Sequence, residues 1–230
     1  NTTGASNVAI GSLTLDANTT GEFNTAIGKE AMTANTTGDR NVAVGFKALK
    51  DMNVTDGSHT FNTAVGFAAG ETTSTGTSNT FMGANAGRAN TTAANNTAVG
   101  TSALANNTTG QRNTAIGQQA FLTNTTGSYN TALGRSALYS NTTADSNTAV
   151  GYESLYNNTT GTQNVAVGAT SLDANTTGSN NVAVGENALS TNTTAGDNTA
   201  VGDDALKLNT TGANNVAVGS LALDANTTAS

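Results

Sequence analysis

Apolar and polar residues recur along this chain in a repeat of seventeen residues, with one longer interval between Asn41 and Asn62. Each repeat opens with Asn, then Thr or Val, then Ala, then an aliphatic residue and Gly, and continues through Ala-Leu and Asn-Thr-Thr-Gly. With that first Asn as position 1, the thirteen repeats begin at Asn7, Asn24, Asn41, Asn62, Asn79, Asn96, Asn113, Asn130, Asn147, Asn164, Asn181, Asn198 and Asn215. A fixed short period predicts repeats that stack on their neighbours, without a single globular core.

Two positions carry larger apolar side chains in most repeats: position 4 is aliphatic or Met, and position 9 is Leu in nine copies. We interpret them as two core columns, represented by Val99, Ile116, Val150 and Val167 at position 4 and by Leu104, Leu138 and Leu155 at position 9. A repeat of this length is too short for a helical hairpin, and Thr, Val, Asn and Gly are poor helix formers. The pattern predicts an all-β fold, a parallel β-solenoid (β-roll) of about thirteen 17-residue coils spanning residues 1–230 as one array.

The small residues at positions 3 and 5 of the repeat indicate how the backbone turns and packs. Position 5 is Gly in every repeat, which predicts a corner with positive φ or a close backbone approach, as at Gly100, Gly117, Gly134 and Gly151. Position 3 is Ala in twelve repeats and Phe81 in the other. A neighbouring surface must therefore restrict the size of the side chain at position 3, which is represented by Ala98, Ala115, Ala132 and Ala149. The neighbour is either the opposite wall of a thin coil or another subunit.

One interval between repeats is longer than all the others, and its extra residues fall in residues 50–61, where we expect an extruded loop. The next two repeats have Gly70 and Gly87 in place of the position 9 Leu. Phe81 lies between them and four of the six Phe residues lie in this region. Either Phe81 fills the volume of two missing Leu side chains, or the region forms a local binding patch.

The tripeptide Asn-Thr-Thr at position 12 fits the N-glycosylation acceptor pattern, and it equally suits a tight turn with stacked amides. The candidate acceptors are Asn18, Asn35, Asn107, Asn124, Asn141, Asn158, Asn175, Asn192 and Asn209.

Composition narrows the range of functions. The formal charge is −7, and no stretch collects the Lys and Arg residues that phosphate contacts require, so nucleic acid is not an expected partner. No apolar run is long enough to span a bilayer. The chain has no Cys and one His, and its adjacent carboxylates Asp203 and Asp204 occupy variable positions typical of solvated surface, so we expect no catalytic residues, metal or cofactor. Asp51 and Asp56 in the loop lack the spacing of a dedicated calcium site.

The repeat resembles the Asn-Ser-Val-Ala-Ile-Gly type of repeat in the head domains of trimeric autotransporter adhesins of the YadA kind. It is also similar to Asn-Thr-Ala-Ile-Gly…Ala-Leu…Asn-Thr-Thr-Gly arrays in phage-type tail-fibre and surface-fibre proteins. The similarity covers residues 7–228. It implies a left-handed β-roll in which three chains pack together, although the adhesin repeat is shorter than the repeat of this chain and residues 1–230 show no pattern of an anchor, stalk or chaperone segment.

From these features we expect a structural, non-catalytic protein of an extracellular fibre, an adhesin or a tail fibre, located outside the cell or on a cell or virion surface. It would associate with itself as a homotrimer or filament and present a repetitive surface to a cell-surface or glycan receptor. The alternative is an ice-binding β-solenoid, because ranks of Thr recur at positions 2, 13 and 14. Since the chain opens at Asn1 without a Met, we expect it to be either processed or a segment of a longer protein.

Overall fold

The computed structural model describes residues 2–230, which contain short strands and turns and no helix. Positions 2 to 4 of every repeat form a three-residue strand. In the N-terminal half, Asn1–Asn113, the strands are β1 (Val8–Ile10), β2 (Thr25–Ile27), β3 (Val42–Val44), β4 (Thr63–Val65), β5 (Thr80–Met82) and β6 (Thr97–Val99). In the C-terminal half, Thr114–Ser230, they are β7 (Thr114–Ile116), β8 (Thr131–Leu133), β9 (Thr148–Val150), β10 (Val165–Val167), β11 (Val182–Val184), β12 (Thr199–Val201) and β13 (Val216–Val218).

Within each half, every strand pairs with the next one in the chain, in parallel and with like positions opposite each other. Ala26 lies opposite Ala43, for example, and Val167 lies opposite Val184. This arrangement confirms the predicted all-β, parallel β-solenoid with one coil per repeat. Its handedness, and the continuity of a single array over residues 1–230, stay predictions.

Backbone hydrogen bonds between coils continue outside the strands. In the C-terminal half, Gly168 N–H donates to Val150 O at 2.8 Å, Leu172 N–H to Ala188 O at 2.9 Å and Thr176 N–H to Thr193 O at 2.8 Å. The turns are therefore laddered like the strands, which satisfies backbone groups that a thin coil cannot pair internally.

Sharp corners keep the coil thin. Gly100, Gly117, Gly134 and Gly151 have φ of 126°, 135°, 139° and 137°, and the Gly at position 5 also stands close to the next coil. A Cβ on Gly28 would lie 2.6 Å from the carbonyl oxygen of Gly45. Position 5 therefore combines the positive φ and the close approach that the sequence offered as alternatives.

Three more positions per regular coil hold non-glycine residues in the left-handed region, which the sequence did not reveal. In the coil that starts at Asn147 they are Glu153, Leu155 and Gln163, with φ of 53°, 52° and 59°. This conformation costs an L-residue about 1–2 kcal/mol. Each of the three amides donates a hydrogen bond to an adjacent coil, so stacking holds the backbone in this shape.

The interior is lined by position 3 and not by position 4. Ala98, Ala115, Ala132 and Ala149 are completely buried within the single chain. Their assignment to a subunit-contact face is therefore wrong, and the neighbour that keeps them small is the opposite wall of the coil. That wall supplies the position 9 side chains Leu104, Leu138 and Leu155, which are also completely buried.

The assignment of position 4 to the core is wrong for the same geometric reason. Ile116 is 37% exposed, and Val99, Val150 and Val167 are only half-buried. Alternation along a strand sends positions 2 and 4 to the face opposite position 3. With Leu and two Asn side chains already inside each coil, only the methyl group of Ala fits from the strand, so the branched residues point outward.

Phe81 fills the space of two missing Leu side chains. It is completely buried, although every other repeat has Ala at this position. A Cβ on Gly70 would lie 2.7 Å from Phe81 Cδ2, and a Cβ on Gly87 would overlap the ring outright. The compensation predicted from the sequence is therefore confirmed: one aromatic ring replaces the position 9 side chains of its own coil and of the coil before it.

The insertion in residues 50–61 is attached to the coil at both ends. Met52 and Val54 point inward and are buried, whereas residues 55–59 are exposed. Asp39 and His59 form a parallel β-bridge, and Thr60 N–H donates to Asp39 O at 3.2 Å. The loop therefore leaves and rejoins the solenoid without breaking the stack of coils in the N-terminal half.

The exchange between Phe81 and the two glycines can be tested by reversal. Phe81→Ala should lower the free energy of unfolding by about 3–5 kcal/mol, because it leaves a cavity. Adding Gly70→Leu and Gly87→Leu restores the pattern of the other coils and should recover part of that loss. Chemical denaturation of the wild type, the single variant and the triple variant measures both effects. A triple variant no more stable than Phe81→Ala would contradict the compensation.

Candidate interaction surface

Two columns of buried asparagine run along the inside of the coils. At position 1, Asn164 N–H donates to Asn147 Oδ1 at 2.9 Å, and Asn164 Nδ2 donates to Gly178 O at 2.9 Å. At position 12, Asn158 Nδ2 donates to Asn141 Oδ1 at 2.8 Å and to Gly161 O at 2.9 Å. The side-chain amides thus pair with the adjacent coil and with a carbonyl of their own coil.

These ladders exclude the predicted glycosylation sites in the folded chain. Asn18 is 2% exposed, and the other eight candidates are completely buried: Asn35, Asn107, Asn124, Asn141, Asn158, Asn175, Asn192 and Asn209. A glycan is attached to Nδ2, the atom that donates to Gly161 O and Asn141 Oδ1 in the case of Asn158. The prediction is wrong because the Asn-Thr-Thr turn uses its Asn as an interior hydrogen-bonding group.

The acceptor pattern also occurs at four exposed Asn residues that are not among the candidates named from the sequence. Asn95, Asn106 and Asn157 each precede an interior Asn followed by Thr, so they match the pattern shifted by one residue. All three are exposed, as is Asn53 in the insertion. The tripeptide Asn-Asn-Thr marks these three sites in the sequence. Without the burial pattern, however, the exposed acceptor Asn cannot be distinguished from the buried one that follows it.

The ladder at position 12 is interrupted beside the insertion. Met52 and Thr73 occupy this position in consecutive coils, and both are buried. Asn62 Nδ2 lies 3.6 Å from Met52 Sδ, and the hydroxyl of Thr73 has no hydrogen-bond partner among residues 2–230. The coil with the insertion and the coil after it therefore lack the position 12 amide that the other coils have.

The outward side chains of positions 2 and 4 form what we call the outer face of the solenoid. It carries Thr or Val at position 2 and Val, Ile, Leu or Met at position 4, and no charged residue occupies either position. Met82 is 45% exposed and Leu133 43%, while most of the Val and Thr side chains are half-buried between their neighbours. In each half the outer face is thus an uncharged, mostly apolar strip, and no other segment of the same half packs over it.

Aromatic residues border the outer face of β2, β3 and β4. At position 6, just after the corner glycine, Phe46 and Phe67 stack with ring centroids 5.4 Å apart. At position 17, just before the strand, the Arg40 guanidinium lies 5.3 Å from the Phe23 ring and 6.0 Å from the Phe61 ring. Phe23, Phe61 and Phe67 are all more than half exposed. We call these five residues the aromatic border.

Apart from Arg40, charged residues lie outside the outer face and the aromatic border, and several of them form local ion pairs. Glu71 accepts from Arg88 Nε at 3.1 Å and lies 3.6 Å from Lys47 Nζ. In the loop, Lys50 Nζ lies 3.3 Å from Asp51, and hydrogen bonds from Ser58 lower the pKa of Asp56. Residues 2–230 bring no three His, Asp or Glu side chains together as a metal-binding group. Over the same residues there is no helix with the length and apolar character to cross a bilayer.

Comparison of the chain with protein-family models, with curated proteins and with solved structures finds no match. Function must therefore be inferred from the geometry, and the outer face with its aromatic border is the feature that most needs a partner.

Adjacent asparagines give a matched test of the interior ladder. Asn158→Ala leaves Gly161 O and the amides of Asn141 and Asn175 short of partners and should lower the free energy of unfolding by about 1–3 kcal/mol or more. The exposed neighbour Asn157 bonds to the next coil only through its backbone N–H, which Asn157→Ala keeps. This substitution should therefore change the free energy of unfolding by no more than about 0.5 kcal/mol. Equal effects in denaturation experiments would contradict the ladder.

Proposed function

We propose that this chain is a structural, non-catalytic component of an extracellular fibre, of the adhesin or tail-fibre type, which associates with further copies of itself through the outer face. The supporting observation is the uncharged strip of half-exposed Val, Ile, Leu, Met and Thr that runs along both halves. Contiguous apolar surface of this kind on a soluble protein marks an interaction site. A second copy of the chain offers a surface of the same shape and repeat.

The electrostatics of the coil support contact at this face. The net charge of −7 opposes association between copies through most of the surface. Positions 1 to 5 of the repeats carry no charged residue, so the outer face is where two copies meet with the least repulsion. Burying its β-branched side chains would contribute about 25 cal/mol for each Å² removed from water.

The remaining surface suits display. Positions 6, 7, 10 and 11 vary from coil to coil and carry most of the charged residues and half of the aromatic ones. The resemblance to adhesin and tail-fibre repeats points to a homotrimer or filament, a location on a cell or virion surface, and a receptor on another cell, such as a glycan. A laddered solenoid supplies regular, closely spaced copies of such variable positions.

Self-association can be tested by charging the outer face. Wild-type chain should sediment well above its monomer mass of 22.7 kDa in analytical ultracentrifugation. Val167→Lys places an ammonium group in the strip and should shift the distribution towards monomer by at least tenfold in the association constant. Asn157→Lys, at the exposed position 11, should leave it unchanged. A monomeric wild type, or equal effects of the two substitutions, would contradict the proposal.

Ice binding is the second candidate, and one structural observation favours it. Position 2 lies on the outer face, because alternation along the strand places it on the same side as position 4. Thr63, Thr80 and Thr97 occupy consecutive strands of the N-terminal half, and Thr114, Thr131 and Thr148 do so in the C-terminal half. Strands about 4.8 Å apart would space these hydroxyls and methyls regularly.

A freezing assay separates the two functions. An ice-binding protein should show thermal hysteresis that Thr131→Lys reduces at least twofold, because the lysine would hold the outer face off a flat lattice. The matched control, Asn157→Lys, should leave the hysteresis unchanged. Absence of hysteresis and of ice shaping at high protein concentration would eliminate this candidate and leave the fibre component.

A further inference from the structure

The outer face alone is too regular to fix how two copies align. Shifting one copy by a single coil brings Val182 and Val184 to the places of Val165 and Val167, which are the same residue types. Elsewhere the shift exchanges Val with Thr at position 2, and Val, Ile, Leu or Met with one another at position 4, all of which are uncharged and similar in size. The outer face therefore favours association but scarcely distinguishes one register from the next.

The area of the outer face indicates that the contact extends beyond it. A three-residue strand spans about 10 Å, and six or seven strands about 4.8 Å apart cover about 30 Å, so each half offers roughly 300 Å² and the two halves of one chain add up to roughly 600 Å². A stable interface buries about 800 Å² on each partner. Residues beside the strands, at positions 17 and 6, must then contribute to the contact.

Those flanking positions differ strongly from coil to coil. Four of their aromatic rings are concentrated in the aromatic border over β2, β3 and β4, whereas in the C-terminal half Tyr129 precedes β8 and Tyr152 follows β9 as single rings. We propose that the aromatic border fixes the register in which a second copy of this chain docks. This inference rests on the proposed self-association. If the second copy shifted by one coil, the side chains at its positions 6 and 17 that lie against Phe46 and Phe67 would be those of a different coil. Only one alignment accommodates these rings.

The aromatic border is also preorganised for such a role. Lys47 Nζ lies 5.2 Å from the Phe46 ring and 3.6 Å from Glu71, so the stack of Phe46 and Phe67 is supported from one side. On the other side His59 packs edge-on against Phe61, with ring centroids 5.7 Å apart, and its Nδ1 lies 3.1 Å from Asp39. The insertion that supplies His59 and Phe61 thus holds part of the border in place.

The chain has no Cys, so one introduced thiol gives a single spin label per copy. Asn106→Cys places it at the exposed position 11, away from the outer face. Pulsed electron spin resonance on the assembled protein should give one narrow distance between copies. With Phe46→Ser and Phe67→Ser the main population should fall at least twofold, and new distances should correspond to slips of about 4.8 Å.

The stacked pair of Tyr139 and Tyr156, with centroids 4.9 Å apart at position 10, provides the matched control. Tyr139→Ser with Tyr156→Ser should keep the single distance. Phe23→Ser with Phe61→Ser tests the other flank, where slipped populations are again expected; circular dichroism checks that each variant folds.

The outcomes separate the two proposals. A monomeric labelled wild type overturns self-association and the register role with it. An assembly that keeps one distance in both Phe variants overturns the register role alone. So does dissociation of the Phe variants at concentrations where the Tyr variant stays assembled, because the border would then supply affinity and not register.

Discussion

Pairing of buried asparagine amides between adjacent coils is the constraint on which the rest of this structure depends. An amide that enters the interior without partners costs about 1–3 kcal/mol for each unsatisfied group. Asn147 Oδ1, for example, finds its partner in the backbone amide of Asn164, one coil further on. Such a bond exists only when like positions lie opposite each other. The strict period of the repeat and the laddered turns follow from this requirement.

The same interior decides what the surface becomes. Two Asn and one Leu per coil leave room for only a methyl group from the strand, which is why Ala149 lies inside and Val150 outside. The usual arrangement is thus partly inverted, with amides within and β-branched side chains on the outer face. A chain built in this way satisfies its backbone through stacking, yet it leaves an apolar strip whose burial requires another molecule or a solid surface.

Much of the fold was predictable because the sequence repeats. The period, the parallel solenoid, the corner at Gly151 and the exchange of Phe81 for Gly70 and Gly87 all follow from residue type and spacing. Which side of the strand faces inward did not follow. Alternation groups Thr148 with Val150 and opposes both to Ala149, but it does not identify the interior, and hydrophobicity favoured the wrong side. The better indicator was size: an almost invariant Ala between Asn and Gly signals a thin interior.

The candidate site was harder to predict for a related reason. The Asn-Thr-Thr turns matched a modification pattern, and only burial shows that Asn158 is an interior group while Asn157 is exposed. The aromatic border was visible as a cluster of Phe residues around the insertion. Its relation to the outer face depends on positions 17 and 6 flanking each strand, which required the strand limits.

Hydrogen exchange of asparagine side-chain amides, followed by nuclear magnetic resonance, tests the central claim most directly. The Nδ2 protons of ladder residues such as Asn158 and Asn164 should persist for hours in deuterated buffer, because they are buried and donate to carbonyl oxygens. Those of Asn106 and Asn157 should exchange at once. Rapid exchange at Asn158 and Asn164 in the folded protein would contradict an interior built on amide ladders.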